Sequence, residues 1–244
     1  MIHALLAIAT LVAGPELPLS DPVIGPRPGV RFTPRVATNG DDYLIVWAET
    51  AEIRAARVDD AGRVLDVTGI RVAAGSGNVA AVASDGRDYV IAYNCSVTDD
   101  AYARTPSVCL AHLDAASGSV ERRGRIELAT NPVIASARGR YLVAYQTPYS
   151  TSPTGRYVDA VEVAADGSIL GAPFRVGTSP YRPEIASNGT DYYVIWSTYG
   201  DLKGALVRGN VAESAETLTT DRPSWGPAPF SWAVGSNGSA FIAV

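Results

Sequence analysis

The sequence has very little of what most enzyme active sites are built from. Of its 244 residues only two are histidines, and His3 lies in the apolar run that starts the chain. One remaining histidine argues against a Ser-His-Asp triad and against a multi-histidine metal site. Walker, Rossmann and G-x-S-x-G patterns are absent as well. The sequence therefore predicts no cofactor and no metal.

Clustered positive charge and long apolar runs are also missing. The chain carries 20 Lys and Arg against 25 Asp and Glu, and Arg122-Arg123 is the only adjacent basic pair. A phosphate backbone needs a denser basic stripe, so we expect no nucleic-acid partner. Beyond the first 20 residues no stretch approaches the roughly 18 apolar residues of a membrane helix. No membrane span is predicted.

The chain does begin with a short apolar segment. Its run from Ala4 to Ala13 has about the length of a signal-peptide core and ends in small residues. We predict a signal peptide over residues 1–20 and an exported protein that is secreted, periplasmic or on the cell surface. A buried N-terminal strand or short helix is the alternative.

Cysteine is scarce, with two residues in the whole chain. Cys95 ends one predicted strand and Cys109 begins the next, so a disulfide would staple a hairpin in an exported protein. Free buried thiols are the alternative, and a chemical role is disfavoured. The Cys-x13-Cys spacing is not that of a zinc site, and His112 alone could not complete one.

What the sequence does contain is a repeat. The stretch SNGTDYYVIW at 187–196 recurs in variant form, with its first aromatic residue at positions 43, 89, 141, 192 and 241. Each copy reads as an apolar strand, a turn containing Gly, an aromatic-rich strand and two further short strands. The copies span about 34–80, 81–131, 132–182 and 183–231, with a partial fifth at 232–244.

The second strand of each copy indicates the architecture. In YLIVWA at 43–48 both alternating sets of residues are apolar, so this strand must be covered on both faces. Four-stranded antiparallel sheets that cover one another at this period describe the blades of a β-propeller. We predict an all-β protein whose single propeller domain spans 21–244, with four blades and a truncated fifth.

The two ends of the domain bear on the number of blades. Residues 22–25 match the fourth strand at 174–177 and would complete the last blade of a closed ring. The fifth copy, however, contains only its first and second strands, so this fourth strand has no third strand to pair with. We therefore expect a fragment of a propeller of six to eight blades. A five-bladed ring with a degenerate last blade is the alternative.

The repeat resembles a known class of tandem repeats. Secreted bacterial proteins carry motifs of the form P-x-V-A-x-(N/D)-G-x-x-Y-L-V-x-W, which this chain matches at Tyr43/Trp47, Tyr89/Tyr93, Tyr141/Tyr145 and Tyr192/Trp196. The resemblance covers residues 22–244. It implies a propeller and an exported location, and it implies no particular activity.

The repeated residues themselves are better explained by structure than by binding. The repeated aromatic rings could form a sugar-binding ladder, but we expect them in the core. Each ring buries about 150–250 Å² when it packs between blades, and this burial stabilises the fold. The repeated acidic residues do not have the spacing of a calcium loop and are interpreted as turn formers. These residues are Asp41, Asp42, Asp85, Asp88 and Asp191.

The segments that differ between copies fall on one rim of the predicted propeller. That rim carries the links from second to third strands and from each blade to the next. Variable loops on a rigid scaffold are usual recognition sites, and Tyr, Trp and Arg suit recognition. Its candidate ligand-binding residues are Tyr102, Arg104, Tyr149, Arg156, Tyr181, Arg182, Tyr199 and Trp225. Loops that merely vary, with aromatics packing on each other, are the alternative.

Two functions compete at this level. The variable rim favours a non-catalytic binding or scaffold module for a protein or glycan ligand. The alternative is a glycoside hydrolase, either sialidase-like or another propeller enzyme that uses a carboxylate pair. That alternative requires two carboxylates about 5 to 9.5 Å apart at the channel mouth. No pair can be singled out from the sequence.

Overall fold

A computed structural model describes residues 34–49, 52–74, 79–100, 103–148, 156–178, 181–198, 201–219 and 232–244. For residues 96–100, 103 and 104 it describes the backbone alone. The predicted signal peptide and the strand at 22–25 lie outside these residues. All regular elements of the described part are strands, so no helix in it could cross a membrane.

The strands form five antiparallel sheets. The first sheet contains β1 (Arg35–Thr38), β2 (Asp42–Glu49), β3 (Glu52–Asp59) and β4 (Ile70–Ala74). The second contains β5 (Ala80–Ser84), β6 (Tyr89–Asp100), β7 (Ala103–Leu113) and β8 (Val120–Glu127). The third contains β9 (Thr130–Ala137), β10 (Arg140–Gln146), β11 (Tyr157–Val163) and β12 (Ile169–Thr178).

The fourth sheet contains β13 (Tyr181–Ser187), β14 (Tyr192–Ser197), β15 (Leu202–Arg208), β16 (Val211–Ala212) and β17 (Glu216–Thr219). Its fourth position is shared, since β16 and β17 both pair with β15. The fifth sheet is the hairpin of β18 (Val234–Ser236) and β19 (Phe241–Ala243).

Each sheet follows chain order, and the first strands β1, β5, β9, β13 and β18 lie next to one another in succession. The sheets are therefore blades I to V of a β-propeller, with the first strand of each blade innermost. The all-β propeller prediction is confirmed. We call the rim with the second-to-third links and the blade-to-blade links the upper rim. The first-to-second turns are on the lower rim.

The core lies between blades. Leu44 and Val46 of blade I pack with Tyr89 of blade II, and blades III and IV meet around Leu142 and Trp196. All five of these side chains are fully buried. Apolar faces of this size contribute about 25 cal/mol per Å² removed from water, so blade-to-blade packing is the main source of stability.

In blades II to IV a tyrosine hydroxyl joins the blade to the one before it. Tyr89 donates to the carbonyl oxygen of Asp42 at 2.9 Å, and Tyr141 donates to that of Asp88 at 3.4 Å. In the same way the Tyr192 hydroxyl donates to the carbonyl oxygen of Arg140. Burial raises the pKa of Tyr89 to about 12, so its hydroxyl remains a donor near neutral pH. These aromatics are core residues, as the sequence indicated.

Blade I departs from the pattern. Its Tyr43 is 46% exposed, because no described blade covers that face of β2. The expectation that the second strand is covered on both sides therefore fails at Tyr43, although Trp47 on the same face of β2 is only 7% exposed. It is confirmed in blades II to IV, where Tyr89, Tyr141 and Tyr192 are buried.

The lower-rim turns also differ from the tight Asn-Gly hairpin that the sequence suggested. Thr38 pairs with Tyr43, so the loop has four residues, and Gly40 alone has positive φ. The Asn39 Oδ1 atom accepts hydrogen bonds from the backbone N–H groups of Asp41 and Asp42. Asp85, Asn188 and Asn237 repeat this arrangement. These side chains are turn formers, as predicted.

A two-residue turn does occur, in the copy whose glycine is shifted. Ala137 pairs with Arg140, and both intervening residues, Arg138 and Gly139, have positive φ. Positive φ at both central positions is the signature of a type I′ turn. The sequence correctly indicated that this copy has a different turn.

The disulfide prediction is confirmed. Cys95 on β6 and Cys109 on β7 are bonded, with their Cα atoms 5.8 Å apart. The second strand β6 has 12 residues, whereas the second strands of blades I, III and IV have 6 to 8, and β7 has 11, so this hairpin extends beyond those blades at the upper rim. The disulfide closes the base of that extension.

Candidate functional site

The structure describes only part of the predicted upper-rim site. Tyr102, Tyr149, Tyr199 and Trp225 lie outside the described residues. Arg104 lies in β7, where only its backbone is described. Arg156, Tyr181 and Arg182 remain. Tyr181 and Arg182 begin β13, where the chain enters blade IV, and Arg156 directly precedes β11 in blade III.

Two of these residues are in contact. The guanidinium carbon of Arg156 lies 5.2 Å from the centre of the Tyr181 ring, within the range of a cation–π contact. The Tyr181 carbonyl oxygen accepts a hydrogen bond from the Ser197 hydroxyl at 3.2 Å, which ties the start of β13 to the end of β14. This part of the upper rim is therefore a packed surface.

Arg182 has an unusual backbone. Its φ is +46°, although it precedes Pro183 and a residue before proline normally adopts extended conformations. The Trp232 Nε1 group of blade V donates a hydrogen bond to the Arg182 carbonyl oxygen at 3.2 Å. The register of β13 with β14 shifts between Tyr181 and Glu184. The Arg182 side chain is exposed and has no ion-pair partner among the described residues.

Beside Arg182 lies an ion pair that joins two blades that are not neighbours in sequence order. The Arg35 Nη2 group of blade I donates to the Glu184 Oε1 atom of blade IV at 2.9 Å. Arg35 begins β1, and Glu184 is the fourth of the seven residues of β13. Because these innermost strands belong to blades I and IV, the pair spans the central channel of the described blades.

The Glu184 carboxyl is mostly enclosed, with 27% of its side chain exposed. Burial raises its pKa above the ordinary value, and the charge and hydrogen bond of Arg35 oppose this only in part. A carboxyl group with a raised pKa holds its proton at higher pH than an exposed one, so it can act as a proton donor. We call Arg35, Arg182, Glu184 and Trp232 the Glu184 site.

Charge is rare on the inner strands. Across β1, β5, β9, β13 and β18 the charged side chains are Arg35, Arg182 and Glu184. Of the two carboxylates that a glycoside hydrolase would need, the described inner strands therefore contain one, Glu184. Elsewhere, the described side chains include no group of three or more His, Cys, Asp or Glu that could hold a metal ion.

Sequence reasoning did not single out Arg35, Glu184 or Trp232, because it treated them as ordinary members of the repeat. A signal was present. Arg35, Ala81, Val133 and Glu184 occupy one repeat position, since they pair with Val46, Ala92, Ala144 and Ile195 respectively. Charge at a position that is otherwise apolar marks a local departure from core packing.

The fold defines the chain as a β-propeller, and the comparisons with solved structures agree. An α-L-arabinanase of Penicillium chrysogenum, complexed with arabinobiose, matches 90% of this chain and 77% of its own, with 14% identity and a TM-score of 0.61. A GH43_1 enzyme from Xanthomonas citri, complexed with xylose, matches over 93% of this chain and 83% of its own chain, with 10% identity and a TM-score of 0.55.

A xylan β-1,4-xylosidase from Bacillus halodurans C-125 matches 82% of this chain at 14% identity, with a TM-score of 0.51. The present chain spans 43% of that enzyme's length. No family model matches the sequence, and no curated protein matches it. At these identities the likeness establishes the fold alone.

The comparisons nonetheless correct one expectation. The sequence favoured a non-catalytic binding or scaffold module, yet the structures that share this fold are mainly glycoside hydrolases. That expectation was wrong, because the rim loops on which it rested are common to binding and catalytic propellers.

Proposed function

We propose that this protein is an exported glycoside hydrolase in which Glu184 is the general acid. One observation carries the proposal. Glu184 is the one carboxyl group on the described inner strands, it forms an ion pair across the channel, and its enclosure raises its pKa. The glycoside hydrolases of the same fold act on arabinose- or xylose-containing substrates according to their names, which supports a glycan substrate.

The chemistry follows from the protonation state of Glu184. Cleavage of a glycosidic bond produces a sugar alkoxide unless the leaving oxygen is protonated in the transition state. A carboxyl group with a raised pKa keeps its proton to a higher pH than an exposed one and can supply it to the leaving oxygen. Arg35, at 2.9 Å, fixes the orientation of the Glu184 carboxyl and holds one of its oxygens.

A second carboxylate completes the mechanism. It lies about 5 to 5.5 Å from the acid in retaining enzymes and about 6.5 to 9.5 Å in inverting ones. Since the described inner strands carry Glu184 alone, we propose that an upper-rim segment supplies the second group. The acidic residues of those segments are Asp99, Asp100, Asp201 and Asp221.

The test is hydrolysis of aryl glycosides and polysaccharides by the purified protein. A Glu184→Gln variant should lower kcat by about 10²- to 10⁴-fold on substrates whose leaving group needs a proton. It should have a much smaller effect on a 2,4-dinitrophenyl glycoside, whose leaving group departs without one. Glu121→Gln is the matched control, because Glu121 is an exposed carboxylate near the lower-rim start of β8 that pairs with Arg123.

The same assay gives a pH dependence. A general acid must be protonated, so activity should fall as the pH rises through the elevated pKa of Glu184. The Glu184→Gln variant should lose this alkaline limb. No hydrolysis of any substrate in the panel, or full activity of Glu184→Gln, would refute the proposal. Substituting the four loop aspartates by Asn one at a time would identify the second carboxylate.

Export is part of the proposal and rests on the disulfide together with the N-terminal apolar run. Disulfides persist in oxidising compartments. Expression with and without residues 1–20, followed by fractionation and thiol labelling, tests it. We expect an unlabelled, exported protein in the first case and labelled Cys95 and Cys109 in the second.

A further inference from the structure

The Glu184 site has more positive charge than its own carboxylate can neutralise. It contains two guanidinium groups, from Arg35 and Arg182, and one carboxyl group. If Glu184 is ionised, one positive charge remains; if it is protonated, two remain. No other acidic residue lies on the described inner strands to balance them.

Arg35 has hydrogen-bonding capacity to spare. A guanidinium group carries five N–H donors, and among the described residues Arg35 uses one contact, to Glu184 Oε1. Its side chain is 45% exposed, so the remaining donors are open to a ligand. The planar arrangement of these donors matches a carboxylate, which can accept two of them at once.

Arg182 lies within reach of the same ligand. It is two residues before Glu184 on β13, so their Cα atoms are at most about 7 Å apart. The hydrogen bond from Trp232 and the conformation before Pro183 fix its backbone, and its side chain is exposed. An arginine that is held in this way, without a carboxylate partner in the described part, is suited to binding an anion.

We propose that the subsite beside Glu184 binds a carboxylated sugar, a uronic acid, through Arg35 and Arg182. The inference rests on the proposed function and names its substrate class. A carboxylate on the sugar ring supplies the missing negative charge, while the glycosidic oxygen of the same residue faces Glu184. A neutral pentose or hexose supplies no carboxylate for Arg182, and none for the donors of Arg35 that Glu184 leaves free.

The experiment measures binding separately from hydrolysis. Calorimetric titration of the Glu184→Gln variant compares the methyl glycosides of glucuronic and galacturonic acid with those of glucose and xylose. We expect the uronides to bind at least tenfold more tightly, and their affinity to fall with added salt because charge pairing is screened. Arg35→Met and Arg182→Met, each made in the Glu184→Gln background, should each weaken uronide binding by tenfold or more.

The control is Arg87→Met in the same background, at an exposed arginine of a lower-rim turn. It should leave affinity unchanged. Equal binding of uronide and neutral sugar, an equal loss in the Arg87→Met control, or equal binding of glucose 6-sulfate would overturn the inference. Circular dichroism and the melting temperature of each variant establish that the fold is intact.

The outcomes separate this inference from the proposed function. Uronide binding without hydrolysis of any glycoside by the wild-type protein would refute the hydrolase and leave the carboxylate subsite standing. Hydrolysis confined to neutral glycosides would support the hydrolase and overturn the subsite.

Discussion

Removing Arg57 should destabilise the protein more than any exposed ion pair could. The Arg57 Nε and Nη2 groups donate to both oxygens of Asp66, at 2.9 and 2.8 Å. Its Nη1 group donates to the carbonyl oxygens of Ala115 and Ala116, at 2.7 and 2.9 Å, in blade II. Arg57 and Asp66 side chains are only 11% and 14% exposed. One side chain therefore joins two blades and neutralises an enclosed carboxylate.

The size of the effect follows from what Arg57→Met leaves behind. Methionine fills much of the space and keeps the hydrogen bond from the backbone N–H of residue 57 to Asp66. It leaves the Asp66 carboxylate without a positive charge and the two carbonyl groups without their side-chain donor. Breaking an enclosed ion pair from one side costs about 3 to 5 kcal/mol. For a chain of this length that corresponds to a fall in melting temperature of roughly 10 °C. The double variant Arg57→Met/Asp66→Asn should lose less than the two single losses combined, because no unpaired charge remains.

The assay is urea unfolding at pH 7, followed by tryptophan fluorescence. Arg63→Met is the control, since Arg63 pairs with Asp59 but is 79% exposed, and we expect a loss of at most about 1 kcal/mol. A loss below about 1 kcal/mol in Arg57→Met, or single losses that simply add in the double variant, would refute the reasoning.

The ion pair also predicts a pH dependence. Burial alone would raise the pKa of Asp66, but hydrogen bonds from the Arg57 side chain and backbone, together with its charge, lower the pKa overall. A carboxyl group with a lowered folded-state pKa stabilises the fold above its unfolded pKa, about 3.9, and this stabilisation is lost as the pH falls through the folded value. The difference in stability between wild type and Arg57→Met should therefore shrink below about pH 4.

Three further predictions concern the contacts between and within blades. A Cβ atom at Gly177 would lie 2.2 Å from Cζ2 of Trp196, so Gly177→Ala should lower the free energy of unfolding by roughly 1 to 3 kcal/mol in urea titrations, whereas Gly235→Ala, with open space around it, should change little. Tyr89→Phe should lose about 1 kcal/mol by removing the hydrogen bond to Asp42, and Tyr43→Phe, at a half-exposed position, should lose almost nothing. Reduction of Cys95–Cys109, which closes a loop of 14 residues, should cost about 3 kcal/mol in thermal unfolding with and without reductant, and no change would contradict the chain-entropy account.

The blade architecture could be predicted because the same residues recur at a regular spacing along the sequence. The recurring aromatics and the two apolar faces of the second strand correctly predicted four-stranded blades and the central position of that strand. The disulfide was accessible for the same reason, since both cysteines fell at adjoining ends of paired strands. These features are local or periodic, so a pattern seen in one copy of the repeat can be checked in the other copies.

Turn geometry could not be predicted from composition. Asn-Gly serves a two-residue type I′ turn and a four-residue loop closed by an asparagine side chain equally well. The difference depends on strand register: Thr38 pairs with Tyr43, whereas in blade III Ala137 pairs with Arg140. In blade III Ala137 stands where blade I has Asn39, whose side chain closes the four-residue loop, so the sequence indicated a different turn there without giving its geometry.

The candidate site was inaccessible for a different reason. Arg35 and Glu184 are 149 residues apart, and no spacing rule brings them together. Their contact requires two inner strands, from blades I and IV, to approach each other at the channel. The sequence analysis placed the site in the rim loops instead, because differences between copies can be read from a sequence, whereas contacts across the channel cannot.

The repeat nevertheless contains the information in another form. At the position shared by Arg35, Ala81, Val133 and Glu184, the two middle blades bury an apolar side chain that is 6% or 7% exposed between neighbouring sheets. A charge there cannot pack in that way, so it must turn to a partner outside the blade interface. The opposite charges in blades I and IV satisfy each other across the channel. In a repeat fold, a charge at an otherwise apolar position of the innermost strand therefore points to the channel site more directly than the length or composition of the rim loops.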